Sequence, residues 1–149
     1  MSSQLVTNGV AGTLGVLSAA HITWVFSSWP LPDRARFAEA VVGVGPDDAP
    51  SAPMTVGVAA LLAQAAVLVK RCGAQAPALP PGRVVVLGTK VVAGVLLARA
   101  VAGLVLSGSR LVPAPEVYRR LDLTVYSPLC LLLGVGAATV ASSARPAEH

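Results

Sequence analysis

This sequence has few charged residues. Asp, Glu, Lys and Arg make up only 12% of its 149 residues, whereas 54% of the residues are hydrophobic. Soluble domains carry about 25% charged residues, so this chain has too few charges to cover a surface in water. A soluble globular domain is therefore excluded. A bilayer is the expected solvent, because lipid accepts apolar surface on every side of a helix.

Cysteine and histidine are also scarce. The two cysteines, Cys72 and Cys130, are predicted to lie at different depths in the membrane, which argues against a disulfide. Of the two histidines, only His21 falls inside an apolar run, since His149 ends the chain. A bis-histidine haem and a zinc site therefore lack ligands. The sequence predicts no metal and no cofactor.

The basic residues, 11 against 7 acidic ones for a net charge of +4, stand singly or in pairs at the edges of the apolar runs. They form no basic helix face and no stacking platform, so nucleic acid is not an expected partner. Lys and Arg at helix ends are typical of membrane proteins, where they reach the head groups. Membrane lipids are the expected partners.

The apolar residues form four long runs, which predict an all-α, polytopic membrane protein in the plasma membrane. We expect a single domain, residues 1–149, folded as a four-helix transmembrane bundle. Asp33 is expected to cap a short interfacial helix in the first loop. Small residues at helical spacing predict close helix packing at Ala11, Gly15 and Ala19 and at Gly94, Ala98 and Ala102. The predicted spans are approximately residues 6–29, 54–70, 84–107 and 121–141.

Arg99, inside the third run, is the sharpest polar signal. An Arg at the centre of a span costs about 2.5–3.5 kcal/mol on insertion scales, and such residues usually face a partner or a cavity. Threading the chain up and down puts Asp122 at the same end of the membrane, so Asp122 is the predicted partner. Tyr126 and Cys130 follow at i+4 and i+8 on one α-helical stripe. Pro128, beside that stripe, leaves a backbone carbonyl free.

These groups support two interpretations. One is a polar pocket that opens to lipid, with His21, Asp122 and Tyr126 as catalytic residues. Its predicted ligand-binding residues are Arg99, Trp24, Trp29 and Cys130. The other is a structural Arg99–Asp122 pair that fixes helix packing and has no chemistry. The two interpretations are compatible with each other.

Two segments carry a resemblance to a known family. They are RLDLTVYSPLCL, which begins at Arg120, and HITW at His21 followed by WPLPD at Trp29. Together they resemble a family of small four-helix membrane proteins, common in actinobacteria and of unknown function. The resemblance covers most of the chain and implies membrane location but no activity.

Three functions stay open from the sequence. The first is a binding protein or an acid/base enzyme, of isomerase or cyclase type, for a lipophilic small molecule such as an isoprenoid, quinone or polyketide. The second is a non-catalytic accessory or assembly protein. The third is a small transporter, which four helices would build only as a homo-oligomer.

Overall fold

The structure is a computed structural model that describes residues 3–74 and 81–144. Within these ranges it is all-α, with no strand. Four of its helical segments are long and apolar enough to cross a membrane, as predicted. The helices in chain order are α1 (Ser3–Phe26), α2 (Arg34–Phe37), α3 (Ala52–Cys72), α4 (Arg83–Ser109), α5 (Glu116–Leu121) and α6 (Ser127–Ser143).

The fourth long segment, Glu116–Ser143, combines α5 and α6, which a π-helical turn, Asp122–Tyr126, joins. The other long helices differ from the predicted spans at their ends. α1 ends at Phe26, ahead of Pro30, whose ring disfavours α-helix in the residue before it. α3 has 21 residues and at 1.5 Å per residue is about 31 Å long, which matches a hydrocarbon core of about 30 Å.

The long helices pack mainly in two pairs, α1 against α3 and α4 against α6. Between α1 and α4 the described helices make no packing contact. The shared core includes Leu14, Val69 and Leu133, all buried. Large apolar side chains elsewhere on the helices face outward, an arrangement that lipid favours and water does not. Four apolar helices of this kind indicate an integral membrane protein.

One of the two predicted small-residue stripes is wrong, and the other holds only in part. Gly94, Ala98 and Ala102 lie on an exposed face of α4, and a Cβ at Gly94 would meet nothing within 4 Å. In α1, Ala11 is buried but Ala19 is exposed. An Ala- and Gly-rich chain produces such spacings by chance on any face. The buried face of α4 instead carries Val86, Thr89, Ala93, Ala100, Gly103 and Ser107.

The predicted short helix of the first loop is present. Asp33 caps α2 by accepting a hydrogen bond from the backbone N–H of Arg36 at 2.8 Å. The chain then forms a π-helical turn, Ala38–Val42, and ends it at Gly43 in the left-handed conformation. This turn packs against α5. The first loop therefore covers the end of the molecule where the fourth long helix begins.

Candidate functional site

The predicted ion pair forms between α4 and the π-turn of the fourth long helix. Arg99 Nη2 lies 2.8 Å from Asp122 Oδ1. The same nitrogen donates a second hydrogen bond, at 3.1 Å, to the hydroxyl of Tyr118. The Asp122 side chain is 2% exposed, whereas that of Arg99 is 38% exposed. The carboxylate is thus fixed inside the protein, and the guanidinium reaches an open edge.

Asp122 also accepts hydrogen bonds from two serine hydroxyls. Ser107 of α4 donates to Oδ2, and Ser127 at the start of α6 donates to Oδ1 at 3.1 Å. Both carboxylate oxygens are therefore bonded within the protein. Of the three donors to this carboxylate, Arg99 and Ser107 come from α4, so the network is a strong tie between α4 and the fourth long helix.

The contact between Ser127 and Asp122 depends on the π-turn. In a regular α-helix, residues five apart point about 140° away from each other, at 100° per residue. Here the backbone N–H of Ser127 bonds to the carbonyl of Asp122, the five-residue step of a π-turn, and the two side chains meet. This π-turn interrupts the predicted α-helical stripe through Asp122, Tyr126 and Cys130 at its first step, and the placing of these three side chains on one face stays a prediction. The turn ends at Tyr126, two residues before Pro128, and Pro128 cannot donate a backbone hydrogen bond.

Gly103 makes room for the network. It lies one turn after Arg99 and one turn before Ser107 on α4, at the spacing that puts residues on one face. A Cβ at this position would overlap Ser127 Oγ and Arg99 Nη1 and would lie 2.9 Å from Asp122 Oδ2. Glycine at 103 therefore allows the two helices to approach closely enough for the ion pair and its serine donors to meet.

A cavity of about 300 Å³ lies beside the network. Its walls come from α4, the start of the fourth long helix, the first loop and the connection before α5. Arg99, Tyr118 and Asp122 line it, and so do the exposed apolar residues Ala102 and Leu106 of α4. The cavity thus joins a polar network to an apolar rim at one end of the protein.

The first loop closes one side of this cavity through contacts with two tyrosines. Gly43 has φ +84°, and a Cβ there would lie 2.7 Å from the ring of Tyr118, so this position needs glycine both for its backbone and for space. The hydroxyl of Tyr126 donates to the carbonyl of Ala40 at 3.2 Å. Val42 and Gly43 consequently lie against the site.

Arg119 supplies a second guanidinium to the cavity wall. Its Nε and Nη2 donate to the carbonyls of Ala114 and Val112 at 3.2 and 2.8 Å, respectively, which holds the connection between α4 and α5. The residue is 9% exposed. Its Nη1 is buried and has no hydrogen-bond partner within residues 3–74 and 81–144.

Four residues at the site were not predicted from the sequence: Arg119, Gly103, Ser107 and Ser127. Gly103 and Ser107 follow Arg99 at i+4 and i+8, so a search along one face of α4 could have found them. No such signal exists for Arg119, which looks in sequence like any interfacial cation.

The predicted site residues of the first span lie elsewhere. His21 donates from Nδ1 to the carbonyl of Leu17 at 2.8 Å, and its ring centre is 4.8 Å from that of Trp24. Trp24 donates to the carbonyl of Trp29 at 2.9 Å and packs against Phe37 of α2. These residues form an aromatic cluster between α1 and α2. Among the described elements, α1 contacts neither α4 nor the π-turn of the fourth long helix.

Five predicted site residues are not among the described residues that line the cavity: His21, Trp24, Trp29, Tyr126 and Cys130. The structure thus brings together Arg99 and Asp122 of the predicted set, and places the other members outside the cavity. Their catalytic and ligand-binding roles stay predictions. Within the described ranges, no three His, Cys, Asp or Glu side chains are grouped so as to hold a metal ion.

A larger depression, of about 510 Å³, lies between α1 and the end of α3. Its polar groups are Asn8, Lys70 and Arg71, which are exposed, and Lys70 donates to the side chain of Asn8. This depression has no buried polar network, so exposed interfacial side chains account for it. The smaller cavity is the better candidate because its wall holds charged groups, whose insertion into a membrane costs free energy.

The family model described as "Protein of unknown function (DUF3995)" matches residues 14–137. The chain belongs to this family. The match includes the whole of the Arg99 network and every residue that lines the cavity. It confirms the predicted membership of a family of unknown function, and the actinobacterial origin stays a prediction. No match to the chain is found among curated proteins or among solved structures.

Proposed function

We propose that this protein binds a lipophilic small molecule in the membrane and takes its polar head into the Arg99 cavity. One observation carries the proposal. Arg99 lines the cavity, yet both of its hydrogen bonds to the protein leave from Nη2. Within residues 3–74 and 81–144, no acceptor is bonded to its Nε or Nη1. A guanidinium has five N–H donors, so most of this donor capacity is available to a ligand.

The shape of the cavity supports a ligand with a tail. About 300 Å³ is at the lower end of the range of roughly 300–1,000 Å³ for small-molecule pockets. It suits a head group better than a whole lipid. Ala102 and Leu106 at its rim belong to the exposed, apolar face of α4. A hydrocarbon tail would therefore lie along α4 in the bilayer while the head contacts Arg99.

The geometry favours binding over acid/base catalysis. A general acid or base must come within hydrogen-bond reach of the reacting proton. Both oxygens of Asp122 already accept hydrogen bonds from Arg99, Ser107 and Ser127. His21 belongs to the aromatic cluster of α1, away from the cavity. The proposed role of Asp122 is to position Arg99, and the proposed location is the plasma membrane.

An accessory or assembly protein without a ligand is the second candidate. The observation that favours it is the same network, because Arg99 and Ser107 of α4 both bond to Asp122 of the fourth long helix. Such a tie would stabilise the fold even with the cavity empty. The two candidates differ in one measurable property, which is whether a molecule occupies the cavity.

Blocking the cavity mouth tests the proposal. Ala102→Phe puts a large side chain at the rim of the cavity. The control, Ala98→Phe, puts the same side chain one turn away on the same exposed face of α4, outside the cavity lining. Each protein is purified in mild detergent, and the lipophilic molecules that accompany it are extracted and quantified by mass spectrometry. We expect one compound class to be enriched with the wild type and with Ala98→Phe, and depleted with Ala102→Phe.

Two results would count against a binding protein. One is a wild-type extract that contains the same lipids, in the same proportions, as the membrane it came from. The other is equal enrichment in the wild type, Ala98→Phe and Ala102→Phe. Either result would favour the accessory role, in which the network serves stability alone.

A further inference from the structure

The wall of the cavity carries more positive than negative charge. Three charged side chains line it: two guanidiniums, Arg99 and Arg119, and one carboxylate, Asp122. The carboxylate of Asp122 pairs with Arg99, and both of its oxygens accept hydrogen bonds from Arg99, Ser107 and Ser127. One positive charge is therefore left without a partner in this wall, and it belongs to the more buried of the two arginines.

The loop contacts of Arg119 account for only part of its guanidinium. Nε and Nη2 donate to the carbonyls of Ala114 and Val112, which explains why the side chain lies under the connection between α4 and α5. These carbonyls do not neutralise the charge, and they leave Nη1 buried and unpartnered within residues 3–74 and 81–144. Buried polar groups without a partner are rare in proteins, and charged ones are rarer still. The missing acceptor should therefore be a group that enters the cavity.

We infer that the head of the ligand is an oxyanion, a carboxylate or a phosphate, that completes the bonding of Arg119 and Arg99 together. This inference rests on the proposed binding function. An oxyanion supplies several acceptor lone pairs and the missing negative charge, and guanidiniums bind such groups in a forked geometry. A neutral carbonyl or hydroxyl would satisfy a donor but leave the charge uncompensated. A cationic head would be repelled.

The test compares ligands that share a tail and differ in the head. The full chain in detergent micelles is titrated with dodecanoate, dodecyl phosphate, dodecanol and inorganic phosphate, and bound ligand is counted by native mass spectrometry. Ala102→Phe serves as the blocked reference, so that partition into the micelle is subtracted. Since hydrogen bonds to charged groups are the strong ones, we expect dodecanoate or dodecyl phosphate to bind at least about tenfold more tightly than dodecanol.

A matched pair of variants tests the role of Arg119. Arg119→Gln removes the charge from the cavity, and Arg120→Gln removes the same charge one residue along, from an exposed position outside the cavity lining. We expect Arg119→Gln to lose the preference for the anionic head, by about tenfold, and Arg120→Gln to keep it. Circular dichroism and gel filtration verify that each variant is folded. If Arg119→Gln does not fold, the inference is tested by the ratio of the wild-type affinities for the anionic amphiphiles and for dodecanol.

The outcomes separate the inference from the proposed function. Equal affinity of dodecanol and the two anionic amphiphiles, blocked by Ala102→Phe, would overturn the inference and leave the binding function intact. No blockable binding of any probe would overturn both. Inorganic phosphate that binds as tightly as dodecyl phosphate would also overturn the inference, because the anion would then be a free solute and not the head of a lipophile. A preference that Arg119→Gln retains would remove Arg119 from the site.

Discussion

The coupling between Arg99 and Asp122 is the interaction on which the site depends, and a double-mutant cycle measures it directly. The variants are Asp122→Asn, Arg99→Gln and the two combined. Asp122→Asn keeps the shape of the side chain and one acceptor oxygen but removes the charge. Arg99→Gln removes the guanidinium that donates both to Asp122 and to Tyr118.

The structure sets the size of each effect. Removing one member of a buried ion pair costs about 3–5 kcal/mol of unfolding free energy. The Arg99 side chain is 38% exposed, so its stranded charge is partly solvated. Asp122→Asn should therefore cost less, about 2–3 kcal/mol. Arg99→Gln strands the carboxylate of Asp122, which is 2% exposed, so although its two serine donors remain, this variant should cost more, about 3–4 kcal/mol. A direct pair predicts that the double variant falls short of the sum by about 1–2 kcal/mol.

Unfolding in mixed micelles, followed by far-UV circular dichroism as sodium dodecyl sulfate is added, gives the free energies. The control is a second cycle on Arg110 and Glu116, an ion pair at 3.4 Å whose side chains are 71% and 75% exposed. Its coupling should lie between about 0 and 1 kcal/mol. Single-variant costs for Arg99 and Asp122 that add to within about 0.5 kcal/mol would refute a direct pair.

Two further predictions follow from the packing around the network. Gly103→Ala should destabilise the protein by about 1–3 kcal/mol through overpacking, since a Cβ there overlaps Ser127 and Arg99. Its control is Gly94→Ala, where a Cβ meets nothing within 4 Å and the change should stabilise α4 by about 0.5–1 kcal/mol; both are read by the same unfolding titration, and equal effects would contradict the close approach at Gly103. His21→Phe should keep the aromatic cluster and leave the binding of dodecanoate unchanged, because His21 does not line the cavity. A tenfold weaker affinity in that variant would put His21 back among the ligand-binding residues.

Much of the fold could be predicted because a membrane limits the structures that an apolar run of residues can form. A run of apolar residues long enough to cross the membrane has few alternatives to a helix, so the four long helices were predictable. The ion pair was predictable for a related reason. Arg99 needs a partner inside the membrane, and up-and-down threading brings Asp122 to the same end.

The remainder of the site depends on features that periodicity does not encode. The meeting of Ser127 with Asp122 requires a π-turn, and the sequence marks that turn only by Pro128, which also suits the first turn of an α-helix. Arg119 is buried because the connection before α5 folds back over it and offers two carbonyls. In sequence it is one of two adjacent arginines, and its exposed neighbour Arg120 has the same local context.

The π-turn links the fold of the fourth long helix to the form of the cavity. A five-residue step brings Ser127 to Asp122, which completes the bonding of the carboxylate and fixes the position of Arg99. Tyr126, next to it, donates a hydrogen bond to the carbonyl of Ala40 in the first loop. The loop then places Gly43 against Tyr118 as one wall of the cavity. A regular α-turn at this point would direct Ser127 away from Asp122. We therefore regard the turn as the feature that makes the cavity possible, consistent with the frequent occurrence of π-turns at functional sites.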